Sequence, residues 1–194
     1  MGPPAEDFGA PEFRELVAEV RRLQDAVSAT AAPSAALSLA LAEQLRAAAE
    51  QLEDLHTVGR LRASRLNGGG HTHHHPVLVP YQVGDVGERT MWATTTFTEA
   101  HLGGNGAVHG GMIPLMFDDL LGIFVSERGL SGSRTAYLKV NYRKITPILR
   151  PLRVEASIDS VEGRKTKVTG RLYDGDELLC DADALFVRLL PGQP

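Results

Sequence analysis

Between Ala107 and Phe124 the chain reads AVHGGMIPLMFDDLLGIF, and no other stretch restricts the possible fold as strongly. It is apolar on nearly every helical face, begins with Gly110 and Gly111, and carries Asp118 and Asp119 at its middle. A helix with that distribution has to be wrapped by other structure, because no single face accounts for its apolar residues. A carboxylate taken out of water is costly unless it is paired or used, so burial of Asp118 for a chemical purpose is expected.

Both ends of the segment carry helix signals, which predict a helix over about 111–128. Pro114 sits in the first turn, where its missing N–H does no harm, and Gly129 stands where a helix stops. The start of such a helix offers backbone N–H groups and the positive end of its dipole, and two glycines leave access to them. That suits an oxygen carrying developing negative charge. Gly111 and Asp118 share a helix face but lie roughly 10 Å apart along the axis, too far to serve one carbonyl carbon. A site using both is expected to take one from each of two copies, at a subunit interface. Asp119, about 100° round the helix from Asp118, reads as structural.

Beyond Pro76, on both sides of this helix, the pattern changes to alternation. RTMWATTTFT (89–98), TAYLKVNYR, LRVEASIDSV, TKVTGRLYD and ELLCDADALFVRLL read as strands, each with one face to bury. Gly163 and Asp174-Gly175 mark hairpin turns, so the last three strands should form an antiparallel meander. A curved antiparallel sheet around a central helix follows, with Trp92 and Phe97 as core residues.

Upstream, Phe13, Leu16, Val17, Val20, Leu23 and Val27 form one helical stripe, and Leu37, Leu41, Leu45, Ala48, Leu52 and Leu55 a second after Pro33, with Ser34 as N-cap. These predict a helical hairpin burying its stripes against each other or against the main domain. LNGGGHTHHHP (66–76) reads as a linker. His71, His73, His74 and His75 sit in a glycine-rich loop that cannot fix a coordination geometry, so no metal is expected. The expected domains are a helical extension at 1–66, a Gly/His-rich linker at 67–77 and the sheet domain at 78–194.

The net charge of -4 gives no reason to propose nucleic acid or an anionic membrane as partner. A single cysteine, Cys180, cannot form an internal disulfide. AAPSAALSLALA (31–42) is too weakly apolar for a signal-peptide core, and no stretch approaches the roughly 20 apolar residues of a spanning helix. The expected address is the cytoplasm.

GAVHGG, an aspartate nine positions after His109, and the following TAYLKVNYRK together resemble the PaaI-like hotdog acyl-CoA thioesterases, within the 4-hydroxybenzoyl-CoA thioesterase-like superfamily, over roughly residues 78–190. The resemblance implies an α+β hotdog fold and hydrolysis of acyl-CoA thioesters without a cofactor, coenzyme A being part of the substrate. It implies a homodimer, or a dimer of dimers, and a place in fatty acid metabolism. It maps the backbone donor to Gly110 or Gly111, the helix acid to Asp118, and the hydroxyl that holds the attacking water to Thr135. His109 then orients the glycine loop. Many members carry Asn or Gln where this chain has Gly103; Asn105 is the candidate replacement. Arg143, Lys144 and Arg150 are candidates to meet the phosphates of coenzyme A. Two rival functions remain at this level: a hotdog dehydratase or hydratase, which would need a catalytic histidine, and a non-catalytic acyl-CoA-binding module.

Overall fold

The computed structural model describes residues 11–53, 75–130, 132–190 and 192. Two helices come first, α1 (Pro11–Ala29) and α2 (Ala35–Glu53). A β-hairpin follows, β1 (Tyr81–Val86) and β2 (Thr90–Thr96), then α3 (Met112–Val125). The chain ends in β3 (Ser133–Tyr142), β4 (Pro151–Glu162), β5 (Lys165–Asp174) and β6 (Glu177–Arg188). The strands make one six-stranded antiparallel sheet in the order β1-β2-β4-β5-β6-β3. β4, β5 and β6 form the expected meander, turning at Gly163 and Gly175 with φ of 60° and 58°.

α3 lies on the inner face of this sheet. Ile113, Met116, Phe117, Leu120, Leu121, Phe124 and Val125 are buried, a set spaced by three and four that marks one helix face. They meet inward residues such as Val154, Val168, Leu172, Ala182 and Phe186. Gly170 in β5 makes the closest approach possible: a Cβ there would come 2.7 Å from the ring of Phe117. After Val125 the helix widens through Ser126–Leu130 and stops at Gly129, whose φ is 75°.

Three sequence expectations meet a different outcome. Trp92 is 42% exposed, because Met91, Ala93 and Thr95 take the inward positions of β2 and leave Trp92 on the outer face, lying over Gly84. Asp118 is exposed, because the sheet covers one side of α3 and Asp118 lies on the other. The two N-terminal stripes also part company. α1 docks on the sheet domain: Val17 is buried, the Arg21 guanidinium donates to the carbonyls of His75 and Leu78 at 2.6 and 3.1 Å, and Asp25 accepts the Ala100 N–H at 2.9 Å. α2 begins at the predicted cap, with Ser34 Oγ accepting the Leu37 N–H at 3.2 Å, yet it has no buried residue. Periodicity says that a face favours burial but does not supply the surface that covers it. Leu55, the N-terminal end at 1–10 and most of the linker, including His71, His73 and His74, lie outside the described residues. Among the described residues no helix is long and apolar enough to cross a membrane.

Candidate active site

The turn preceding α3 is held from several sides. The N–H of Val108 donates to Thr146 O at 2.9 Å and that of His109 to His101 O at 2.8 Å. The Tyr142 hydroxyl, from the end of β3, donates to Gly110 O at 2.7 Å. Burial raises the Tyr142 pKa further above neutrality, which keeps this hydroxyl a donor. The two glycines, equivalent in the sequence, differ here. The Gly111 N–H donates to Nδ1 of His109 at 3.1 Å, whereas the Gly110 N–H has no hydrogen-bond partner among the described residues. His109, exposed, therefore holds its own loop through the ring nitrogen, and a neutral ring carries its proton on Nε2.

Asp118 lies two turns along the same helix. Its Oδ1 accepts the Thr135 hydroxyl at 2.7 Å. Alternation alone would put Thr135 and Leu138 on opposite faces of β3, since they are three residues apart. The register shifts between Thr135 and Tyr137, so Ala136 is an extra, bulged residue. Thr135 pairs with Phe186 and Leu138 with Ala184, both inward-facing residues of β6. The bulge thus turns Thr135 towards α3. Asp119 is half-buried and accepts the hydroxyl of buried Tyr81 at 2.7 Å, in keeping with a structural role.

The other candidates are placed as follows. Asn105 is exposed in a short turn at Gly104–Gly106 with φ of 58°, and among the described residues its side chain makes no hydrogen bond to the glycine turn. Gly103 packs on His109: a Cβ there would lie 2.7 Å from His109 Cα, so a larger residue has no room on this loop path. Arg143 is paired with Asp181, whose carboxyl it holds below the usual range, mainly through the hydrogen bond between them. Lys144 lies 3.5 Å from Glu177 and Arg150 2.9 Å from Asp174. Ion pairs this exposed are weak in water, so each cation can still turn to a phosphate.

His101 was not among the sequence candidates. It is buried, its Nδ1 accepts the Thr98 N–H at 2.8 Å, and burial, the largest influence on it, lowers its pKa. The spacing Thr98-Glu99-Ala100-His101 is the available signal, a residue that caps a short turn from its far end. Among the described residues no three His, Cys, Asp or Glu side chains gather as a metal site.

Residues 105–180 match the model of the thioesterase superfamily. Acyl-coenzyme A thioesterase THEM4 of Mus musculus is 36% identical over 91 residues, which are 46% of this chain and 39% of that protein. The chain thus matches well under half the length of this curated relative. A solved thioesterase superfamily protein is 27% identical, with a TM-score of 0.77 over 96% of this chain and 97% of its own. A hypothetical thioesterase from Streptococcus pneumoniae TIGR4, solved with coenzyme A, shares the fold at 18% identity and a TM-score of 0.52, over 55% of this chain and 86% of its own. The sheet wrapped on α3 is a hotdog domain, and within it residues 105–180 are similar to the thioesterase superfamily.

Proposed function

We propose that this protein hydrolyses acyl-CoA thioesters to the free acid and coenzyme A, as a homodimer in which each site draws on both subunits. The observation that carries the reading is the 2.7 Å bond from Thr135 to Asp118, set about 10 Å along α3 from a glycine turn with an open N–H. Gly110 of one subunit donates that N–H to the thioester oxygen as charge develops there. Asp118 of the other takes a proton from a water as the water's oxygen attacks the carbonyl carbon. Thr135 donates to Oδ1 and keeps lone pairs to orient the water. The tetrahedral intermediate then collapses, the C–S bond breaks, and the departing coenzyme A thiolate takes up the proton that Asp118 had accepted, which restores the carboxylate.

A dimer is supported by β3, a sheet edge on which Arg134, Thr135, Ala136 and Tyr137 are exposed. An open edge of this length is a ready pairing surface, and a second copy would bring another glycine turn towards Asp118. Water, a carboxylate and backbone donors suffice for the chemistry, so the step calls for no cofactor. Arg143, Lys144 and Arg150 remain the candidate contacts for the coenzyme A phosphates. A dehydratase has less support, since His101 and His109 both use Nδ1 to accept backbone N–H groups. A purely binding module has no use for a carboxylate oriented by a threonine. A cytoplasmic location and a place in fatty acid metabolism belong to this proposal, and the free thiol of Cys180 is compatible with a reducing compartment.

The test is a panel of acetyl-, octanoyl- and benzoyl-CoA with a free-thiol reagent. Thiol release by the wild-type protein that Asp118→Asn abolishes supports the reading. Release no faster than the uncatalysed rate on every thioester overturns it.

A further inference from the structure

A groove of about 480 Å³ lies between α1 and the start of α3, within the usual range for small-molecule sites. Leu23 and Val27 of α1 form one wall; Val77, Ala100, His101 and Met112 form much of the rest. Two connections tie it to the candidate site. Met112 directly follows Gly111, and the His101 carbonyl accepts the His109 N–H at 2.8 Å. The α1 wall is anchored, because Arg21 and Asp25 bond to backbone on the sheet domain. We infer that this groove receives the acyl group of the thioester, so that α1, outside the segment that matches the family, selects the substrate.

The inference rests on the thioesterase reading for where the carbonyl sits. The lining residues carry no fixed charge, and His101 is their one ionisable side chain. Its lowered pKa keeps the imidazole neutral at neutral pH. Arg21 and Asp25 are directed to backbone partners. Such a groove suits an alkyl chain or an aryl ring and disfavours an acyl group ending in a carboxylate, which would lose its hydration without gaining a cation. The ligand class is therefore an apolar acyl group longer than acetyl.

Val27 is 64% and Val77 54% exposed, so Val27→Trp and Val77→Trp fill the groove from opposite walls without disturbing a core. Both variants, checked by thermal unfolding, are assayed as full-length protein with acetyl-CoA and octanoyl-CoA. The expected result is a loss of kcat/KM for octanoyl-CoA at least about tenfold greater than for acetyl-CoA. An unchanged ratio between the two substrates in both variants overturns the inference. Binding of S-octyl-coenzyme A, a thioether that cannot be hydrolysed, is measured alongside S-methyl-coenzyme A. Selective weakening of the octyl compound supports the groove even if the wild-type protein hydrolyses nothing, in which case the thioesterase reading alone fails. Equal octyl binding by wild type and both variants removes the groove whatever the hydrolysis result.

Discussion

Thr135 reaches Asp118 because Ala136 is bulged out of the β3–β6 ladder, and the 2.7 Å bond between them joins the central helix to the sheet edge. Without the bulge Thr135 would face away from α3. The bond fixes the Asp118 carboxylate, the proposed base, beside the sheet edge formed by β3.

Asp118→Asn should lower kcat by at least about a hundredfold with the fold retained, since the amide is isosteric but cannot take the proton. Asp119→Asn should have a small effect on kcat and lower the unfolding midpoint, because it weakens the bond from buried Tyr81. Steady-state kinetics and thermal unfolding of both variants check this. Equal losses of kcat would remove the distinction between the two acids.

If two subunits build each site, inactive partners should rescue one another. Asp118→Asn mixed with Gly110→Pro, which lacks the proposed N–H donor, should regain about one quarter of wild-type activity after statistical subunit exchange. Half the dimers are then mixed, and one of their two sites is intact. Absence of rescue in a mixture shown by light scattering to contain exchanged dimers would place Gly110 and Asp118 in the same subunit's site.

Tyr142→Phe should loosen the glycine turn by removing the bond to Gly110 O. A positioning role predicts a fall in kcat of roughly threefold to tenfold with KM little changed, because the donor is misaimed chiefly for the transition state. A rise in KM alone would assign Tyr142 to substrate binding instead.

His101 makes stability depend on pH in a definite direction. Its folded pKa lies below the ordinary value of 6.5, so the unfolded chain takes up the proton first as pH falls. Its contribution to stability is complete above about 6.5 and is lost as pH drops from there towards the lower folded pKa. Urea unfolding between pH 7.5 and 5 should show the decline, and His101→Gln should flatten it.

Gly170→Ala should destabilise the domain by about 1–3 kcal/mol, since the new Cβ would lie 2.7 Å from the Phe117 ring and the helix or the ring must shift. Adding Phe117→Leu should recover part of the loss in urea unfolding.

Much of the domain was legible in order along the chain. The alternating segments became β2 to β6, Gly163 and Gly175 turned the meander, and Gly129 ended the helical stretch after α3, because period-two patterns and positive-φ glycines act over a few residues. The candidate helix and its glycine turn were visible for the same reason. Tertiary structure decided what depends on distant neighbours. Gly110 and Gly111 are alike in sequence, and only the position of the His109 ring separates their N–H groups. Thr135 owes its facing to a bulge that no propensity marks. Trp92 was drawn inward by its size, yet strand phase put it outside. The stripes of α1 and α2 look equally ready for burial, but among the described residues it is α1 that meets carbonyls and an N–H on the sheet domain, bonded by Arg21 and Asp25. An amphipathic pattern sets which face of a helix favours burial; the surface that covers it comes from elsewhere in the fold.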